Sequence, residues 1–175
     1  TEEALALQVL GALAGTASHA NSTLSAIGEA IANPVGWVVD DTVPFSSARK
    51  WSAARIAERG SWVLGAPEIV AADVKGAAGE AAAQARDRAT IYAEEGLRVL
   101  LLSHTDAELR GEILPEGLRP VCLVILSERV RKDAPETLAY FRKEGVQSKV
   151  ISGDNPATVA AIAAKAGGEG AGRAV

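Results

Sequence analysis

The pattern of predicted helices and strands changes once along the chain, between residues 119 and 127, and this change limits the folds that the sequence can adopt. Before it, apolar residues recur first at helical spacing and then in short runs separated by turn residues. Predicted helices cover residues 2–14, 23–32 and 79–95, and predicted strands cover residues 36–39, 51–56, 61–64, 97–102 and 120–126. Helices followed by strands at hairpin spacing predict an α+β domain with a mostly antiparallel sheet.

After this change, helix and strand patterns alternate. A helix at residues 133–144, a strand at 146–151, a polar loop and a helix at 156–166 follow one another directly. This order is typical of a parallel, doubly wound α/β sheet. We therefore predict one domain over residues 1–121 and part of a second domain over residues 122–175.

Composition excludes several classes of partner. The 175 residues carry a net charge of only -4 without a basic patch, so neither nucleic acid nor anionic lipid is expected as a partner. The single Cys122 favours a reducing compartment, and no apolar run approaches the roughly 20 residues that cross a bilayer. His19 and His104 lie far apart in the sequence, so no metal site is predicted. A start at Thr1 rather than Met suggests either a piece of a longer protein or removal of the initiator Met.

The sequence Ile-Ser-Gly-Asp-Asn-Pro at residues 151–156 is the strongest local signal for chemistry. A predicted strand ends in a short polar loop and a helix begins at once, and ligands of open α/β sheets bind at this edge. Helix amides there can hold an anion, while Asp154 can hold a metal or orient a phosphate. Alternatively, Asp154 or Asn155 only caps the helix.

Two spaced motifs in this second part resemble the P-type cation-transporting ATPases. Ser-Gly-Asp-Asn-Pro-Ala-Thr at residues 152–158 is similar to the threonine-glycine-aspartate loop of that family, and Glu-Arg-Val-Arg at 128–131 occupies the place of its Asp-Pro-x-Arg element. The resemblance implies that Asp154 is a catalytic residue near the phosphate and magnesium. It also places Ser152, Gly153 and Arg131 at the bound nucleotide. Glu128 stands where the family has Asp, which leaves the role of that carboxylate open.

Four motifs of the first part resemble the nucleotide-binding domain of the same family, so the resemblance covers essentially the whole chain. They are Phe-Ser-x-x-x-Lys within residues 44–50, Leu-Gly-Ala-Pro-Glu at 64–68, Leu-Arg at 97–98 and Asn-Ser-Thr-Leu at 21–24. The nucleotide-binding residues that they imply are Phe45, Lys50, Gly65, Ala66, Arg98, Asn21 and Thr23.

Physical chemistry gives these residues plausible roles in an ATP pocket. An aromatic ring at Phe45 can stack on adenine, Lys50 places a cation beside the ring or the phosphates, and Arg98 offers a bidentate fork for phosphate oxygens. Gly65 and Ala66 lack bulk, so a base can approach the backbone there. Taken singly, Phe45 reads as a core aromatic and each cation as a solvated charge.

One departure from the family's motifs bears on the affinity for ATP. The family often has Lys before Gly-Ala-Pro-Glu, and this chain has Leu64. With one cation fewer, we expect an affinity for ATP near the millimolar range, or about -4 to -5 kcal/mol.

The resemblance implies an α+β nucleotide-binding domain, a mostly antiparallel twisted sheet flanked by helices, followed by a partial α/β segment of the haloacid-dehalogenase type. The family's Asp-Lys-Thr-Gly-Thr motif is absent from the sequence, so the chain is expected to bind ATP without turnover. In the intact pump it would use ATP and Mg²⁺, with the remaining pump segments as partners, on the cytoplasmic side of a bacterial plasma membrane. Residues 17–20 lack a Ser-Glu-His-Pro tetrapeptide, which favours the calcium-type or related cation pumps over the heavy-metal pumps.

Two other classes of function remain open at this point. A free-standing haloacid-dehalogenase-like phosphatase with a cap domain would need an Asp-x-Asp nucleophile, whereas Asp40 and Asp41 are adjacent. A non-catalytic interaction module would need none of the pocket residues. Nucleotide binding distinguishes it from an ATP-binding domain.

Overall fold

A computed structural model describes residues 2–16, 22–32, 34, 36–127, 131–152 and 156–167. The chain divides into two compact units. The first unit comprises Thr1–Arg88 and Leu100–Val124, and the second unit comprises Ala89–Val99 and Ile125–Val175. The domain boundary after residue 121 stays a prediction.

The described residues form six helices and five strands. The helices are α1 Glu2–Gly15, α2 Ser22–Ala30, α3 Pro67–Val70, α4 Gly76–Glu94, α5 Ala134–Lys143 and α6 Pro156–Lys165. The strands are β1 Val39–Ser46, β2 Trp51–Ile56, β3 Gly60–Gly65, β4 Leu97–Thr105 and β5 Arg119–Ser127. The predicted long helices and four of the predicted strands agree with these elements within a few residues.

The first strand lies later in the chain than its apolar run predicted. A strand was expected at residues 36–39, but β1 begins at Val39 and continues to Ser46. It contains two acidic residues and a proline, and most of its side chains are exposed, because it lies at the edge of the sheet. Edge strands tolerate charge and proline that a central strand would exclude, so their apolar pattern is weak.

The five strands form one sheet in the order β1-β2-β3-β4-β5. Neighbouring strands from β1 to β4 pair antiparallel, with Val43 opposite Ala53, Ala53 opposite Val63 and Val63 opposite Ser103. Each strand is therefore adjacent in the sheet to the strand that follows it in sequence. This arrangement confirms the predicted α+β class with an antiparallel sheet flanked by helices.

The main core of the first unit lies on one face of this sheet. Side chains that alternate along the strands meet residues from α3 and α4 there. The cluster consists of Val43, Trp51, Ala53, Val63, Val70, Ala71, Ala82, Leu101, Leu109 and Leu118. Positions of β2 and β3 that point to the opposite face, such as Ala54 and Leu64, are buried as well. Both faces of the central strands are thus covered.

One strand that was predicted within the second unit does not form. Residues 146–151 were expected to form one, but they adopt no regular structure and are all exposed. The prediction was wrong because a parallel strand is stable only between neighbouring strands that pair with it. The α/β segment of the haloacid-dehalogenase type is therefore not confirmed. Instead, α6 is held by side-chain bonds: Thr158 Oγ1 donates to the Leu97 carbonyl at 3.2 Å, and Lys165 Nζ donates to the Glu95 carbonyl at 2.7 Å.

Candidate functional site

Phe45 lies near the end of β1, where the pairing with β2 is irregular. The register shifts by one residue between the pairs Val43–Ala53 and Ser46–Trp51, so Phe45 lies within a β-bulge. Bulges turn a side chain away from the face that strict alternation would give it. The Phe45 ring is 43% exposed, whereas Val43, two residues earlier, is buried in the core. An apolar ring at the surface of a well-packed unit is available to stack on a ligand.

Lys50 closes the turn between β1 and β2 in an unusual backbone conformation. Its amide donates to the Ser46 carbonyl at 2.7 Å, and its φ of 61° lies in the left-handed region. Few residues other than glycine adopt that region, and such backbone strain is concentrated at functional sites. The turn brings the Lys50 backbone back to the strand end that carries Phe45, because Trp51 pairs with Ser46.

Gly65 ends β3 beside this turn, and its lack of a side chain serves the protein's own packing. A Cβ at residue 65 would lie 2.5 Å from the Trp51 Cβ and 2.7 Å from the Lys50 carbonyl oxygen. The next amide, of Ala66, donates to that same carbonyl at 2.9 Å. Glycine is therefore required for Lys50 to approach β3 closely. The space left by Gly65 was predicted to admit a base, whereas in the structure Trp51 and Lys50 fill it.

Arg49 fixes the turn from the other side. Its Nη2 donates to the Pro44 carbonyl at 2.6 Å, and its Nη1 lies 2.6 Å from Glu112 Oε1. The guanidinium also lies over the Trp51 ring, 5.5 Å from the centroid. These contacts tie the backbone just before Phe45 to the loop between β4 and β5. Arg49 was not predicted as part of the site, although an Arg-Lys pair in a tight turn is a signal that could have identified it.

Lys50 has a looser partner than Arg49. Its Nζ lies 3.7 Å from Oε1 of Glu68, a residue of α3, and both side chains are about half exposed. Leu64, which stands in place of the family's usual Lys, is only 3% exposed in β3. In the first unit, the predicted site therefore consists of the exposed Phe45 ring, the loosely paired Lys50 cation, and the backbone at Gly65 and Ala66.

Three predicted site residues belong to the second unit and are described within it. Arg98 lies on β4 and is partly buried, and Ser152 is exposed just beyond residues 146–151. Arg131 makes a bidentate pair with Asp133, with Nε to Oδ1 at 3.0 Å and Nη2 to Oδ2 at 2.7 Å. The bonds from Arg131, together with a backbone hydrogen bond, lower the pKa of the Asp133 carboxyl. Arg131 is thus engaged by a neighbouring carboxylate in this structure.

Of the other predicted site residues, the structure describes only Thr23. Asn21, Gly153 and Asp154 lie outside the described residues, as does Glu128. Thr23 lies in the first turn of α2 and is partly buried.

Two searches of the described part of the chain bear on metals and membranes. Within residues 2–16, 22–32, 34, 36–127, 131–152 and 156–167, no group of three His, Cys, Asp or Glu side chains could hold a metal ion. Among the helices of those same ranges, none has the length and apolar character needed to cross a membrane. Cys122 is partly buried, and this burial raises the pKa of its thiol.

Comparison with known proteins places these motifs in context. The calcium-transporting ATPase CtpE of Mycolicibacterium smegmatis is 40% identical over 159 residues, which is 91% of this chain and 19% of that protein. A probable cation-transporting ATPase of Streptococcus pneumoniae serotype 4 is 34% identical over 168 residues, or 95% of this chain and 20% of that protein. The chain is a relative of the P-type cation-transporting ATPases. The predicted resemblance is therefore confirmed, and the chain spans about a fifth of the length of these curated relatives.

A shorter match concerns a different pump of the same kind. The potassium-transporting ATPase ATP-binding subunit of Erwinia tasmaniensis is 42% identical over 55 residues, which is 31% of this chain and 8% of that protein. No family model matches the chain.

Proposed function

We propose that this chain is the ATP-binding part of a P-type cation-transporting ATPase. Phe45 stacks on the adenine, Lys50 meets the nucleotide's negative charge, and Gly65 and Ala66 form the backbone wall beside them. Thr23 completes the binding set of the first unit, with Asn21 as predicted from its motif. Arg98, a residue of the second unit, is proposed from its motif alone as a further nucleotide-binding residue. ATP held there would be presented to a phosphorylatable Asp elsewhere in the polypeptide.

The observation that supports this proposal most strongly is the exposure of Phe45 beside Lys50. The ring is 43% exposed on a bulge, and the neighbouring lysine is held in a left-handed backbone conformation. Both features cost stability in an isolated domain, since an exposed ring forgoes burial and a left-handed lysine is strained. Stacking on a base would bury the exposed face of the ring, because a base offers a flat surface to it.

An amide-resolved NMR titration with ATP tests the proposal. We expect saturable shifts at Phe45, Lys50, Gly65 and Ala66, with an affinity near the millimolar range. Phe45→Ala should abolish them. Phe141→Ala is the matched control, because Phe141 is the sequence's other phenylalanine and is similarly exposed, at 38%, on α5 of the second unit.

The outcomes separate the proposal from its alternative. Shifts that saturate in wild type and in Phe141→Ala, but vanish in Phe45→Ala, support an ATP-binding domain. An absence of shifts at several millimolar ATP would overturn the proposal and favour the non-catalytic interaction module. An affinity in the low micromolar range would contradict only the expectation based on Leu64.

The remaining parts of the proposal concern the intact pump. We propose that residues 122–175 contribute to its phosphorylation domain, where Asp154 would be catalytic, with Ser152, Gly153 and Arg131 near the phosphate and Mg²⁺. Because Arg131 is paired with Asp133 here, its contact with phosphate would require that pair to open. The names of the relatives favour calcium or another cation as the transported ion. The proposed location is the cytoplasmic face of a bacterial plasma membrane.

The phosphatase alternative finds little support in the position of its candidate nucleophiles. Asp40 and Asp41 lie at the beginning of β1, an antiparallel edge strand, and Asp41 Oδ1 accepts a hydrogen bond from the Thr42 amide at 2.8 Å. Ligands of open α/β sheets bind instead beyond the carboxyl ends of parallel strands. We therefore expect no phosphatase activity, and turnover of ATP that Asp154→Ala abolishes would contradict the proposal that this chain binds without hydrolysis.

A further inference from the structure

The two neighbouring cations of the β1–β2 turn are held very differently. Arg49 is 17% exposed and makes two contacts of 2.6 Å, to Glu112 and to the Pro44 carbonyl. Lys50 is 41% exposed, and its ammonium lies 3.7 Å from a Glu68 oxygen, beyond the usual length of a hydrogen bond. Arg49 is therefore part of the framework of the turn, whereas Lys50 has an ion pair that can exchange.

The position of Glu68 is set by the backbone. The Ala66 amide donates to the Lys50 carbonyl at 2.9 Å, so the chain just before α3 is bonded directly to Lys50. Pro67 begins α3 and restricts the backbone there, and Glu68 follows it in the first turn of that helix. The carboxylate of Glu68 is thus kept within reach of the ammonium of Lys50.

We propose that Glu68 is a specificity-determining residue of the nucleotide site. In the nucleotide-free protein it occupies the Lys50 ammonium, and the phosphates of a bound nucleotide displace it. This inference rests on the proposed function, because it assumes that Phe45 and Lys50 bind a nucleotide. Glu68 also places a negative charge beside the site, which weakens the binding of an anion in proportion to the anion's charge.

Removing this charge should therefore tighten ATP binding more than AMP binding. Exposed ion pairs contribute little individually, so we expect Glu68→Gln to improve ATP affinity about two- to fivefold at low salt, with a smaller gain for ADP and the smallest for AMP. The gain should shrink at about 0.5 M salt, where screening is strong. In Lys50→Gln the further change Glu68→Gln should improve ATP affinity less, because the cation to be released is gone.

Calorimetric or NMR titrations of ATP, ADP and AMP test this proposal on the folded chain. The variants are wild type, Glu68→Gln, Lys50→Gln and the double variant, with Glu80→Gln as the control that removes the same charge from an exposed position on α4. Thermal melts of each variant establish that it is folded before binding is compared.

The possible results distinguish failure of the proposed role of Glu68 from failure of the proposed function. A gain for ATP in Glu68→Gln that exceeds the gain for AMP, and that Glu80→Gln does not reproduce, supports the proposal. Unchanged or weaker ATP binding in Glu68→Gln, an equal gain for all three nucleotides, or a full gain without Lys50 overturns it. If wild type binds none of the nucleotides, or Phe45→Ala binds them all normally, the proposed function itself fails, and this inference fails with it.

Discussion

In the first unit the apolar side chains of β2 and β3 are buried on both faces of the sheet, whereas in the second unit α5 buries none of its residues and residues 146–151 are exposed throughout. The difference follows from the way in which paired strands are connected along the chain. Antiparallel strands joined by short turns bring their own neighbours with them along the chain. A parallel strand pairs with strands that are distant in sequence. When those strands do not pair with it, its apolar residues stay exposed to water.

The comparison teaches that an apolar sequence pattern predicts burial only where its partners are also present. On the proposed function, the remaining polypeptide of the pump supplies the other parts of the phosphorylation domain, which would cover residues 146–151. The first unit, in contrast, has a continuous core, and the nucleotide site proposed for it lies at the end of its own sheet. Its stability and its nucleotide binding can therefore be tested on this chain, and the predictions below compare the two units directly.

The largest difference between the units should come from apolar truncation. Leu102→Ala removes a fully buried side chain from β4 in the first unit and should lower the free energy of unfolding by about 3 kcal/mol. Ile151→Ala removes a side chain that is 95% exposed in the second unit and should change it by less than about 0.5 kcal/mol. Urea unfolding measures both, followed by fluorescence of Trp37, Trp51 and Trp62 for the first unit and by far-ultraviolet circular dichroism for the helices of the whole chain. Equal losses would mean that the exposed segment is buried in solution, and the contrast between the units would fail.

Glycine substitution sharpens the same comparison at the proposed site. Gly65→Ala would place a Cβ 2.5 Å from the Trp51 Cβ and should destabilise the first unit by about 2 kcal/mol, because backbone and core must shift. Gly145→Ala, in the second unit, meets nothing within 4 Å, and its φ of 74° should cost about 1 kcal/mol. Thermal melts compare the two variants. Since Gly65 packs against Lys50, its substitution should also weaken ATP binding, and unaltered binding would contradict that link.

Within the second unit, the bond from Thr158 to the Leu97 carbonyl should be worth about 1 kcal/mol. Thr158 is 4% exposed, so Thr158→Val keeps the shape of the side chain and leaves the Leu97 carbonyl without this donor. We expect faster amide hydrogen exchange in α6 and little change in β2 and β3. Thr137→Val is the control, because its hydroxyl bonds the Asp133 carbonyl at an exposed site on α5. Exchange that rises equally in both units would show that they unfold together.

Some features of this chain follow from sequence alone and others depend on tertiary context. The short spacing between the apolar runs of β2 and β3 predicted a hairpin, and the turn residues between them were enough to place it. The exposure of Phe45 was not predictable, since it arises from a bulge in the pairing of two strands. The partners of Arg49 and Lys50 were missed for a related reason. Glu112 and Glu68 lie 63 and 18 residues away in sequence, and only the folded sheet brings them close.

The smallest expected effect concerns the exposed pair between Arg131 and Asp133. Its bidentate geometry lowers the pKa of the Asp133 carboxyl below that of the unfolded chain. A group with a lowered pKa stabilises the folded state above its unfolded pKa, and this contribution is lost as the pH falls through the folded value. Carboxyl carbon shifts measured by NMR between about pH 2 and 6 should show that Asp133 titrates at a lower pH than an ordinary Asp, whose pKa is about 3.9. Arg131→Gln should return it toward that value with almost no change in melting temperature. An unchanged Asp133 titration in that variant would mean that Arg131 does not hold this carboxylate in solution and is available for the phosphate contact proposed for it.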